Sequence, residues 1–186
     1  LNNHLKKWSR TISCALFCSW LTGNALFAQD INEAWVKANY TKREEMIPMR
    51  DGAHLYTAIY EPIHSQKPSP ILFTRTPYKA APYGETMSNR LWRSWQKYAR
   101  EKYIFVIQDV RGRWKSEGEF INVRPFVSEK EKNGKIDEAS DVYDTAEWLI
   151  YHTRNNNGNI GIIGSSYSGF YSLMGALSAH PCLLYT

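Results

Sequence analysis

Past an apolar leader the chain alternates short apolar runs with longer stretches of helical spacing. Residues 45–50 and 53–61 read as strands separated by Asp51-Gly52. That pair predicts a β-hairpin closed by a type I′ turn, because such a turn needs positive φ and Asp-Gly supplies it at little cost. After a Pro-, Ser- and His-containing connection over 62–70, residues 71–76 form a short apolar run that ends in Thr-Pro, as a buried strand leaving a sheet does. In residues 88–102, Leu91, Trp92, Trp95, Tyr98 and Ala99 recur at helical spacing, so an amphipathic helix is expected with Arg90, Arg93, Lys97 and Arg100 turned to water. A second buried strand is predicted over 103–108 and a third over 159–164. Helices are predicted over 137–152, with Val142, Ala146, Leu149 and Ile150 inward, and over 170–179.

Strand and helix in alternation, after an antiparallel hairpin, give a parallel sheet covered on both faces, with functional loops at the carboxyl ends of its strands. Residues 31–44 read as a polar lead-in helix or arm, so a domain is expected from 45 to 186. Residues 111–135, charged and Gly-punctuated, read as a surface excursion. There is no internal repeat.

The first 28 residues have the three zones of a secretory signal: Lys6, Lys7 and Arg10, an apolar stretch over 11–27, and small Ala28 ahead of Gln29-Asp30. Export to the periplasm or the outside is expected, with cleavage near Ala28. A retained anchor is the weaker reading, since polar and glycine residues interrupt the run. Bulky Phe17 before Cys18 also argues against a lipid anchor there.

The formal charge of +5 changes little, because with those three cations set aside 20 basic residues face 18 acidic ones. No basic stripe remains for a nucleic-acid partner. Removing the leader takes Cys14 and Cys18 with it and leaves Cys182, read as a small buried residue that can form no internal disulfide. Metal-ligand spacings and phosphate-loop motifs are absent, and no cofactor is expected.

The candidate chemistry lies in Gly164-Ser165-Ser166-Tyr167-Ser168-Gly169, between the third strand and the last helix. A nucleophile elbow needs such a place: a tight turn projects the serine, and small neighbours let strand and helix approach. Ser166 has the required offset from Gly164, with Ser165 and Ser168 as alternatives. The Tyr167 amide would then face a developing oxyanion at the helix N-terminus. Ser168 stands where the generic pattern has glycine, so a strand-to-helix turn of another kind, such as an anion site, is the rival reading.

These residues resemble the X-Pro dipeptidyl-peptidase-like, cocaine esterase-type (CocE/NonD) family of α/β-hydrolases. That family's elbow reads Gly-x-Ser-Tyr-x-Gly, as Gly164, Ser166, Tyr167 and Gly169 do here. Met49-Arg50-Asp51-Gly52 with Leu55, Arg75-Thr76-Pro77-Tyr78, and Gln108 to Gly112 with Ser116-Glu117-Gly118 extend the likeness over residues 45–180. The resemblance implies an α/β-hydrolase fold, with Ser166 as nucleophile and the Tyr78 hydroxyl and Tyr167 N–H as oxyanion donors. It implies small ester, amide or short-peptide substrates, and an acid and histidine from later sequence, beyond a helical cap and before a jelly-roll-like domain. The chain is accordingly expected to be truncated after the elbow helix and to be inactive alone. Loss of chemistry in favour of a non-catalytic binding module is the competing function.

Asp109 is expected to pin its loop through backbone and Arg111 hydrogen bonds rather than to act as triad acid, since triad partners follow the serine in this fold. Trp114 reads as packing. His180 is expected about 21 Å from Ser166 along a helix, and His54, His64 and His152 precede the nucleophile.

Overall fold

The structure, a computed structural model, describes residues 30–128 and 135–184. The predicted export segment, with Cys14 and Cys18, lies outside the described residues. Almost everything described belongs to one compact unit, Ile31–Thr186.

Helix α1 (Glu33–Asn39) starts where the Asn32 side chain accepts the Trp35 amide at 2.9 Å, a standard N-cap. It buries Val36 and passes directly into strand β1 (Tyr40–Pro48). The strand thus begins five residues earlier than its sequence suggests, because Lys42, Arg43, Glu44 and Glu45 hide it. Lys42 folds inward and donates to the carbonyls of Pro82 and Gly84, each at 2.6 Å. Arg43 pairs sideways with Glu45 and Glu61.

Strand β2 (His54–Pro62) runs antiparallel to β1, from Tyr40 opposite Pro62 to Pro48 opposite His54. The hairpin is as expected but its turn is not type I′. Gly52 N donates to Met49 O at 2.9 Å and Met49 N to Ala53 O at 2.8 Å, so three residues form the loop. Only Gly52, at φ 88°, takes the left-handed conformation there. In a three-residue loop one glycine suffices, and Asp51 keeps ordinary backbone geometry.

Four more strands, β3 (Ser69–Thr76), β4 (Ile104–Asp109), β5 (Asn156–Ile162) and β6 (Leu183–Leu184), complete the order β1-β2-β4-β3-β5-β6. Strand β2 is antiparallel to β4, whereas β3 lies parallel to both β4 and β5, and β5 to β6. This is the mostly parallel α/β-hydrolase sheet with its amino-terminal antiparallel hairpin. The two-residue strand β6 follows the elbow helix and is not among the predicted elements.

The single helix predicted over 88–102 is instead a 3-10 turn (Asn89–Trp92) and a short α2 (Gln96–Arg100). Leu91, Trp95 and Ala99 are buried as expected. Trp95 stacks flat on Phe105, with centroids 5.3 Å apart, and its backbone at φ −115°, ψ 18° interrupts the helix. Helix α3 (Glu138–His152) is capped reciprocally by Asp137 and Ser140, and α4 (Tyr167–Leu177) follows the elbow.

Side chains alternate across each strand, so β4 feeds two cores. Phe105 and Ile107 join Val36, Tyr40, Leu91 and Ala99 on one face. Ile104 and Val106 join Val142, Ala146 and Leu149 of α3 on the other.

Candidate active site

Strand β5 ends when Ile163 N donates to Phe73 O at 2.9 Å, and the chain turns sharply through Gly164, Ser165 and Ser166 into α4. Ser166 has φ 54° and ψ −124°, a region L-residues seldom occupy and one that costs about 1–3 kcal/mol. It is exposed and its side chain makes no capping hydrogen bond, so its hydroxyl is not engaged with the helix. Ser165 and Ser168 show no such backbone conformation. Tyr167 N–H belongs to the first turn of α4, where amides have no intrahelical acceptor. The turn depends on glycine at 164, since a Cβ there would lie 2.0 Å from Ser168 O and 2.6 Å from Ser172 Oγ.

Tyr78 stands on the turn after β3, its amide donating to Thr76 Oγ1 at 3.0 Å. It is 65% exposed, not packed beneath the proline. Its ring meets that of Tyr167 edge-on. Tyr78, Gly164, Ser165 and Ser168 line one cleft of about 440 Å³, with Arg90 and Trp95 on its wall. Ser166 is not part of that lining but lies between two residues that are. The structure thus brings the three predicted residues, Ser166, Tyr167 and Tyr78, to one end of the sheet. Arg90, expected to face water, is half-buried on the cleft wall, because breaking the predicted helix reorients its turn.

Below this surface lies a buried ion cluster that the sequence did not reveal. Arg75 donates to Gln108 Oε1 at 2.8 Å and to Glu138 Oε2 at 2.9 Å, and meets Asp141 Oδ2 at 3.2 Å. Burial pushes the Glu138 carboxyl up, against the pull of Arg75. Arg111 joins Asp141 at 2.6 Å to Asp51 of the hairpin turn at 2.8 Å. Above it the Arg75 guanidinium sits 5.5 Å from the Tyr171 ring, and Tyr171 stacks on Tyr167 at 5.2 Å. The cluster therefore fixes the underside of the elbow helix. Strand periodicity cannot signal it, because Arg75 scores as polar inside an otherwise buried run.

Asp109 does pin its loop, but Arg111 is not its partner. It accepts Ala80 N at 2.6 Å and the Tyr83 hydroxyl at 2.7 Å. Burial raises its carboxyl above the usual range. Trp114 packs within its loops as expected, though 55% exposed, with its indole N–H donating to Pro77 O at 2.9 Å. It braces the Tyr78 turn.

None of the described histidines lines the cleft. His54 pairs with Glu117, His152 stacks on Trp148 at the end of α3, and buried His180 meets Glu147 Oε2 at 2.9 Å. Cys182 is a free thiol, partly buried against the second core.

The pattern of the X-Pro dipeptidyl-peptidase (S15) family matches residues 51–185. Cocaine esterase of Rhodococcus sp. (strain MB1 Bresler) is 33% identical over 144 residues, 77% of this chain and 22% of the esterase. An aminopeptidase from a marine sediment Thaumarchaeota archaeon superposes with a TM-score of 0.66 at 37% identity, over 78% of this chain and 24% of its own. An α-amino acid ester hydrolase gives 0.67 at 35% identity, over 87% and 27%. The chain therefore spans about a quarter of the length of these relatives.

Proposed function

Because the chain belongs to the X-Pro dipeptidyl-peptidase (S15) family, we propose that it supplies the nucleophile and oxyanion site of a serine hydrolase acting on ester or amide acyl bonds. The Ser166 hydroxyl attacks the substrate carbonyl. Negative charge builds on the carbonyl oxygen, and the Tyr167 N–H and Tyr78 hydroxyl donate to it where it forms. Collapse of the tetrahedral intermediate expels the alcohol or amine and leaves an acyl-serine, which water then hydrolyses.

The attack also needs a base to take the serine proton. None of the described histidines lines the cleft, so residues 1–186 alone are expected to turn over slowly. The names of the relatives, an esterase, an ester hydrolase and an aminopeptidase, favour small ester, amide or short-peptide substrates.

The observation that carries this reading is the Ser166 backbone at φ 54°, ψ −124° at a strand-to-helix turn, beside a cleft shared with Tyr78. Treating the full-length protein with a fluorophosphonate probe tests it. Covalent labelling should map to Ser166 and vanish in Ser166→Ala; labelling that persists in that variant overturns the assignment. We also propose export, on the sequence of residues 1–28; a secreted mature chain starting near Gln29 is the expected outcome of amino-terminal sequencing.

A further inference from the structure

Arg90 is the one charged side chain among the described residues lining the cleft. Its guanidinium carbon lies 5.6 Å from the ring centroid of buried Trp95, and no carboxylate among the described residues forms an ion pair with it. Several acids at this end of the sheet are committed elsewhere. Asp51, Glu138 and Asp141 serve Arg75 and Arg111, Glu44 serves Lys42, and Asp109 holds Tyr83 and Ala80. On the loops beside Tyr78, Lys79 and Arg113 sit over aromatic rings and form no ion pair with a carboxylate among the described residues, although the Lys79 charge is felt by Asp109.

A guanidinium held against an indole and left without an anion presents a planar donor fork suited to a carboxylate. The positive charge of Lys79 and Arg113 on the adjoining loops adds to the attraction for an anion. A neutral substrate filling this space would strip water from Arg90 and return no partner. Resting on the acyl-transfer reading, we propose that the substrate carries a carboxylate near its scissile bond and that Arg90 binds it.

The test uses the full-length protein and paired substrates. On the acyl side, para-nitrophenyl monoesters of glutaric and adipic acid are compared with the valerate and hexanoate esters. On the leaving-group side, meta-acetoxybenzoate is compared with phenyl acetate. In at least one arm the anionic substrate should show the higher kcat/KM. In Arg90→Gln that anionic-to-neutral ratio should fall about tenfold or more, with Arg90→Lys intermediate, a change that a fold defect lowering both rates together does not produce. The arm that responds identifies which half of the substrate bears the charge. Hydrolysis of the neutral esters with no anionic preference, or a preference unaltered in Arg90→Gln, overturns the carboxylate proposal and leaves acyl transfer standing. Hydrolysis of none of these esters, together with no fluorophosphonate labelling, overturns both.

Discussion

The Tyr167 ring meets the Tyr78 ring edge-on, with centroids 6.3 Å apart and planes at 76°. The residue after the proposed nucleophile and the phenol proposed to work with it therefore form one packed unit. Tyr167 is fixed from several sides. Its hydroxyl donates to Asn122 Oδ1 at 2.5 Å and accepts Val123 N at 2.9 Å, and its ring stacks on Tyr171.

Packing and chemistry at Tyr78 can be separated. Tyr78→Phe keeps the edge-to-face contact and removes only the hydroxyl. In the full-length protein it should lower kcat about 100-fold to 1,000-fold, the loss typical of one oxyanion donor. The melting temperature should stay within error of the parent, because the side chain is exposed.

The two glycines of the elbow motif should behave oppositely. Gly164→Ala forces a Cβ into the Ser168 carbonyl, so the turn must open. We expect a destabilisation of about 2 kcal/mol or more, read by urea denaturation, and loss of probe labelling. In Gly169→Ala the nearest atom, Gly164 O, is 3.6 Å away. Helix propensity then dominates, and a gain of about 0.5–1 kcal/mol is expected.

Arg75→Met should be among the most damaging single changes. It leaves buried Glu138 with only the more distant Arg124, at 3.7 Å, and Asp141 with only Arg111, and removing one partner of such a buried pair costs about 3–5 kcal/mol. Chemical denaturation should show that loss. Because the cluster underlies α4 through Tyr171, fluorophosphonate labelling of the still-folded fraction should slow as well.

Acid stability should depend on the Asp51–Arg111 pair. Partial burial alone would raise the Asp51 carboxyl, but the hydrogen bonds and charge of Arg111 outweigh it and hold the carboxyl below its ordinary 3.8. The unfolded chain then binds the proton first as pH falls. The pair's contribution is complete above that ordinary value and is lost as pH drops through the lower native one. Asp51→Asn should reduce stability at neutral pH and flatten this part of the acid limb, measured as urea midpoints across the series. An acid limb as steep as the parent's would show that the pair contributes nothing.

Strands β3 and β4 were legible as short continuous apolar runs, β2 through the Asp51-Gly52 turn before it, and α3 through its helical spacing. Strand β1 was only half visible. At the edge of the sheet its charges need not be buried, and Lys42 and Arg43 satisfy themselves on loops and neighbours, which erases the alternation. The elbow could be read because a sharp strand-to-helix turn demands small residues at fixed offsets, and Gly164 meets that demand. The place of Arg90 on the cleft wall could not, since local spacing favours one continuous helix that Trp95 interrupts. The Arg75 cluster joins residues far apart in the chain, and a linear pattern carries no trace of such partners.

The left-handed backbone at Ser166 has a consequence for how this protein can vary. Glycine would relax that conformation and delete the hydroxyl in the same step, so with Ser166 as the proposed nucleophile, endurance and reactivity oppose each other at this position. Selection for heat tolerance alone would erode it, whereas selection for turnover would keep a residue the scaffold accommodates only under strain.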